Sequence, residues 1–313
     1  MKFWVGVTDN NWYQFLANRD FEEVNFWQPS ARPLFVNPEV GMPFLFKLKR
    51  PANHIAGGGY FVAHSVFPLS LAWEIFGEKN GARSLDELRE TISPHVSDAR
   101  RDPDIGCTVL SNPFFMDKFS WMHDPPGWSP NIVRGKHYDT EEGAGLEIWN
   151  RVIRYFVMPG SGSKVSDSAT LSGGSEAKVK FGAPVLQKPR IGQSTFRVRV
   201  TDAYKRRCAM TGESTLVVLE AAHIVPYSKA EGSHDVSNGM LLRSDFHRLF
   251  DRGLVSVTPQ YLVRVSPRIK EAYFNGKAYY RLDNQPLQAL PDNASLRPDR
   301  DRLDWHFRNC FQA

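Results

Sequence analysis

Residues 219–253 read LEAAHIVPYSKAEGSHDVSNGMLLRSDFHRLFDRG, and the rest of the chain is organised around them. Leu216–Ala222 is a short apolar, β-branched run bounded by Gly212 and Pro226, which predicts a buried strand with His223 at its end. Imidazole accepts a proton near neutral pH, and a strand end is a rigid mount for it. Residues 232–239 are polar and close on Asn238-Gly239, a turn signal whose Asn side chain can tie the loop to backbone. Leu241–Asp251 then has helical spacing. His247 and Asp251 stand at i and i+4, so both side chains share one helix face, where a His and a carboxylate can ligate a divalent cation.

This succession of strand-His, loop-Asn and helix-His resembles the HNH pattern of the ββα-metal nucleases. The likeness is greatest to members with AAHI at the first strand and H-x-L-F-D-x-G at the end. It implies that His223 is the general base that activates water against a phosphodiester. Asn238 would hold the loop that orients His223. His247 would bind the catalytic metal, Mg²⁺ or Mn²⁺, which stabilises charge on the phosphate and the leaving oxygen. One position departs from the pattern: Ala222 stands where many members carry a metal-binding His or Asp. Glu220, on the same strand face in a regular strand, Asp251 and Asp245 are the alternatives for a second ligand.

A chain of 313 residues suggests about two domains, and 42% hydrophobic content with 12% aromatics is enough for full-sized cores. There is no run of eighteen apolar residues, so no membrane span is expected. The start, MKFWVGVTDNN, turns polar too early for a signal peptide. Cys107, Cys208 and Cys310 are too few and too far apart for a disulfide framework or a four-cysteine zinc knuckle. A reducing, cytoplasmic setting is expected. Charge is uneven: residues 1–155 carry 16 Lys and Arg against 19 Asp and Glu, whereas residues 190–313 carry 19 against 13. The basic excess lies with the His-Asn-His stretch, where a phosphate backbone would be held.

Residues 1–157 alternate short strands, helices and turns, which predicts a small mixed barrel. Strands are expected at Phe3–Thr8, Glu23–Pro29, Pro43–Leu48, Gly59–Ser65 and Ile105–Leu110. Helices are expected at Asn10–Asn18, Leu69–Phe76, Ser84–Ile92 and Gly145–Val157. Gly57–Gly59 lack the context of a nucleotide loop and read as a tight hairpin or a bulge. FWVGVTDNNW, FWQPS, PFLFKLKRP before GGGYF, and IVRGKHYD resemble the EVE branch of the PUA-like superfamily. That likeness implies a reader that takes one modified base out of the stack. Flipping costs a few kcal/mol and aromatic stacking returns roughly 1–3 kcal/mol, so such a site needs aromatics beside polar groups. Trp27, Gln28, Ser30 and Phe67 are the candidates, with Trp12, His64 and Trp73 behind them.

Residues 158–195 are rich in Gly, Ser and Pro and read as a linker. Residues 196–313 follow as the second domain, with a helix from Phe196 to Arg207, a strand at Ala278–Leu282 and a closing helix at Asp301–Phe311. The expectation is therefore an α+β chain of three parts: residues 1–157 as a PUA-like reader, 158–195 as a linker, 196–313 as a ββα-metal nuclease. The activity implied is cleavage of double-stranded DNA near 5-methyl- or 5-hydroxymethylcytosine. The alternatives are an HNH nuclease that reads sequence or RNA, and a binding module with a dead nuclease. One such site cuts one strand, so a homodimer is expected for double-strand breaks.

Overall fold

A computed structural model describes the chain except residues 31–33, 35–37, 97–100, 126, 158–191, 230–231 and 274–275. The expected linker lies largely outside the described residues. The fold is α+β and divides into two compact units, Met1–Arg190 and Ile191–Ala313. Among the described residues no helix is long and apolar enough to cross a membrane.

The first unit is built on one sheet. In chain order its elements are β1 Lys2–Thr8, α1 Asn10–Ala17, β2 Glu23–Gln28, β3 Pro43–Leu48, β4 His54–Pro68, α2 Leu69–Phe76, α3 Leu85–Ile92, β5 Asp104–Phe115, β6 Met122–His123, β7 Gly135–Asp139 and α4 Gly143–Val157. The strands run in the order β2-β5-β4-β3-β1-β7, with β6 on β4. Only β1 and β3 pair in parallel; their other neighbours are antiparallel. Aromatics from β2, β3 and α1, among them Trp12, Phe26, Phe44 and Phe46, pack edge-to-face or tilted in the core. Both helix starts follow local chemistry. Asp9 accepts from the amides of Asn11 and Trp12, and Ser84 accepts from the amide of Glu87.

Of the two readings of Gly57–Gly59 the hairpin fails and the bulge fits: the glycines lie inside the fifteen-residue β4. A Cβ at Gly57 would lie 2.2 Å from the Phe114 carbonyl oxygen, and one at Gly58 2.6 Å from that of Phe44. The glycines let β3 and β5 close in on both edges of β4, and the register with β5 shifts at Gly58/Tyr60.

The second unit comprises α5 Gln193–Ala203, β8 Leu219–His223, β9 Gly239–Arg243, α6 Ser244–Asp251, β10 Val255–Val257, β11 Val263–Val265, α7 Arg268–Tyr273, α8 Lys277–Tyr280 and α9 Arg300–Asn309. Helix α5 begins at Gln193, inside the stretch expected as linker, and Ser194 and Thr195 are buried. Leu216–Val218 is a tight helical turn rather than the start of the strand. Gly239–Arg243, expected to lead into a helix, is the second strand of a hairpin with β8. Four of its five residues are buried, so its apolar run serves a sheet and not a helix stripe. Lys277–Tyr280 is one helical turn rather than a strand. Its Tyr280 hydroxyl donates to the carbonyls of Ser266 and Pro267.

Helix α9 closes the core through a buried histidine. His306 stacks on Phe250 at 3.7 Å between ring centres. Its ring nitrogens meet Ser256 Oγ at 2.8 Å and the Phe250 carbonyl at 3.1 Å. Burial holds its pKa down to about 4, so it stays neutral.

Candidate active site

The hairpin β8–β9 and helix α6 carry the three sequence-predicted residues. His223 ends β8 opposite Gly239, and the chain leaves β9 directly into α6. A Cβ at Gly239 would lie 2.6 Å from Val200 and 2.8 Å from Phe196, so this position has room only for glycine against α5.

Asn238 is fully buried and acts as a clamp. Its Oδ1 accepts from the Val225 amide at 2.9 Å, while its Nδ2 donates to the carbonyls of Val225 and Ser233, each at 2.9 Å. The Asn238 carbonyl also accepts from the Ile224 amide at 2.9 Å. The two residues after His223 are thereby tied to the far side of the loop.

The ring of His223 lies flat on Phe196 of α5, with centres 3.9 Å apart and planes within 9°. Its Nε2 is 3.1 Å from Nδ1 of His234. Burial first, then the charges of His234 and His247, hold its pKa down to about 4. The imidazole is thus neutral at working pH, the state a general base needs.

His247, on α6, is gripped at both ring nitrogens. Nδ1 is 2.6 Å from Glu220 Oε2 on β8, and Nε2 is 3.5 Å from Asp251 Oδ2 one turn along α6. The Glu220 contact fixes the tautomer: Nδ1–H donates to the carboxylate, which leaves the Nε2 lone pair facing Asp251. Glu220 and Asp251 therefore lie on opposite edges of one ring. Among the described residues no group of three or more His, Cys, Asp or Glu side chains is gathered as for a metal ion. The donor set still suits a hard or borderline divalent cation held by His247 Nε2 and Asp251, with Glu220 as orienting partner. Such ions keep several waters when proteins bind them.

Asp245 is engaged by a cation of its own. Its two oxygens take both arms of Arg243 at 2.7 Å, and that pairing holds its carboxyl below the usual range. Ala222 is fully buried, and its methyl group offers no ligating atom.

Three residues of this site carry no signal in the sequence. Phe196 reads there only as a helix start, and His234 and Tyr227 only as loop. In the folded chain Tyr227 stacks on His234 at 4.0 Å and 11°. Arg199, next to Val198 and Val200 of the core, is partly buried, and burial lowers its pKa against the opposing charge of Asp235.

Residues 208–258 match the HNH endonuclease family. The span covers β8, the clamped loop, β9, α6 and β10. No curated protein matches the chain. Among solved structures the chain is similar to an ASCH protein from Zymomonas mobilis. Identity is 10%, with 46% of this chain and 94% of that chain covered and a TM-score of 0.34. A point mutant of the same protein scores 0.31 at 11% identity, over 46% and 95%. The chain is also similar to the modification-dependent TagI restriction endonuclease, at 13% identity over 96% of this chain and 79% of that one, with a TM-score of 0.28. Identities this low carry no residue-to-residue correspondence.

In the first unit Trp27 separates from Gln28 and Ser30, which stay together. Successive strand residues point to opposite faces, so Trp27 and Gln28 of β2 cannot share a pocket. Trp27 is half-buried, and its Nε1 donates to the Asn80 carbonyl at 3.0 Å. It lines a cleft of about 380 Å³ with Asn11, Gln14, Arg19, Arg83 and Thr91, between α1 and α3. Gln28 is buried on the other face, where Arg134 donates to its Oε1 at 3.2 Å. Gly106 lies under both Gln28 and the Ser30 carbonyl: a Cβ there would come within 2.6 Å and 2.8 Å of them. Phe67 is fully buried and has no face to offer a ligand. His64 is on the sheet nearby, with Nδ1 2.9 Å from Thr108 Oγ1 and a pKa held down to about 4 by burial and by Arg134.

Proposed function

We propose that this chain is a modification-dependent DNA endonuclease whose second unit hydrolyses a phosphodiester and whose first unit reads a modified cytosine. The observation that carries the nuclease half is the Asn238 clamp on the loop that follows His223, together with a His247 held at Nδ1 by Glu220. His223 takes the proton of the attacking water. His247 and Asp251 would hold Mg²⁺ or Mn²⁺, which when bound supplies positive charge to the phosphate and the departing oxygen. Glu220 keeps Nε2 of His247 turned outward as a donor. The basic excess of residues 190–313 favours the DNA backbone.

For the reader half, the cleft beside Trp27 is the better candidate for an extruded base. Its volume falls within the range of small-molecule sites, and amide and guanidinium groups surround an indole. The Gln28–Arg134 pair on the opposite face would then serve the sheet or the DNA backbone and not the base. One His-Asn-His unit cuts one strand, so two chains would meet on the DNA to break both.

The test is to incubate the chain with Mg²⁺ or Mn²⁺ and matched DNA carrying plain, methylated or hydroxymethylated cytosine. Cutting confined to modified DNA is expected. Equal cutting of all three removes the reader role, and no cutting with either metal removes the nuclease.

A further inference from the structure

We propose that His234 is a positioning residue for His223, setting which nitrogen of the base carries its proton; this rests on the nuclease reading above. The two rings are joined by one short contact, His223 Nε2 to His234 Nδ1 at 3.1 Å. One of these nitrogens must donate and the other accept. If His234 donated, the lone pair of His223 Nε2 would be consumed and its Nδ1 would hold the proton. No nitrogen would then be free to take a proton from water. A general base at His223 therefore requires the opposite arrangement. Nε2–H of His223 donates to Nδ1 of His234, and Nδ1 of His223 keeps its lone pair for the attacking water.

The surroundings fix this pair before any substrate arrives. Phe196 lies flat against His223 and Tyr227 flat against His234, so neither ring can turn freely about its own axis. The Asn238 side chain holds Val225, two residues beyond His223, and the carbonyl of Ser233, immediately before His234. One amide thus sets the spacing of both histidines, which stand on opposite sides of the loop. Proton accounting is simple. The water proton moves to His223 Nδ1, giving an imidazolium whose second N–H still points at His234; hydroxide attacks phosphorus as the bond from phosphorus to the departing oxygen breaks, that oxygen takes a proton from solvent, and His223 returns its own proton to solvent. His234 touches neither water nor phosphate and acts only through His223.

The test uses the full chain and two variants. His234→Phe keeps a ring to stack on Tyr227 but removes the acceptor. His234→Asn keeps an acceptor oxygen as many bonds from the backbone as Nδ1. Long-range ¹H–¹⁵N correlation of the histidine rings, assigned with His223→Asn, reads the tautomer without any need for activity. The Nε2–H form of His223 is expected in the wild type and in His234→Asn, and a mixture in His234→Phe. On the cleaved substrate, His234→Phe should lower kcat on the order of 10–100-fold with KM nearly unchanged, and His234→Asn should recover most of it. A wild type that cuts no DNA overturns the nuclease reading. A cutting wild type whose His223 carries its proton on Nδ1, or whose Phe and Asn variants turn over equally, overturns the role of His234 alone.

Discussion

Replacing Asn238 with Ala is the sharpest probe of the second unit. The side chain is fully buried and makes three hydrogen bonds of 2.9 Å, all to backbone. Its removal orphans the Val225 amide and carbonyl, in a residue that is itself buried. Each buried group left without a partner costs about 1–3 kcal/mol. The exposed side of the loop relieves part of the loss at Ser233, and a small cavity adds to it. The expected total is about 3–5 kcal/mol, large beside a typical stability of roughly 5–15 kcal/mol. For a unit of this size that lowers the melting temperature by roughly 10–20 °C. Calorimetry of the full chain measures it, with limited proteolysis assigning the moving transition to the second unit. Asn238→Asp separates hydrogen bonding from size. Its Oδ1 still accepts from Val225, but the second oxygen faces two carbonyls, so the loss at neutral pH should rival that of Ala and ease on acidification. If the Ala variant melts within about 3 °C of wild type, corresponding to well under 1 kcal/mol, the clamp does not carry the loop and the reasoning fails.

Three further outcomes are expected. His223 and His306 have folded pKa values of about 4 against an ordinary 6.5, so the unfolded chain binds more protons between those values. Stability of the second unit in a chelator should hold above pH 7 and decline as pH falls from about 6.5 towards 4; urea titrations at about pH 7.5, 6 and 5 that show no decline would contradict it. Chelation should stop cleavage and Mg²⁺ or Mn²⁺ restore it, His247→Ala should abolish it, and Glu220→Gln should lower it about 10–100-fold by freeing the ring; a Glu220→Gln enzyme as fast as wild type argues against the orienting role. Trp27→Ala should weaken binding to modified DNA by about 5–150-fold, the equivalent of 1–3 kcal/mol of stacking, without altering the melting of the second unit. Phe67→Ala should instead destabilise the first unit by about 3–5 kcal/mol, and calorimetry together with a binding titration distinguishes the two.

Much of the site is legible in the residues because short-range chemistry fixes it. The strand that ends at His223 and the i, i+4 spacing of His247 and Asp251 survive in the structure, although the strand begins at Leu219 and not at Leu216. So do the capped helices after Asp9 and Ser84 and most strands of the first unit, whose alternation and turn residues are local signals. What fails depends on neighbours distant in sequence. Gly57–Gly59 read equally as a hairpin or a bulge, and only β3 and β5 on either edge of β4 decide for the bulge. Leu241–Arg243 look helical until β8 pairs with them. Trp27 and Gln28 are adjacent in the chain, but the pleat sends them to opposite faces. Glu220 and Asp251 are interchangeable ligand candidates along the chain, and folding sets them on opposite nitrogens of His247. Above all, nothing in the spacing of His223 and His234 announces that their rings meet. Residue order alone settles which chemical groups the chain owns and which elements carry them. Which nitrogen faces which partner is settled by packing in three dimensions, because ring orientation is set by Phe196, Tyr227 and Asn238, which approach from three separate segments.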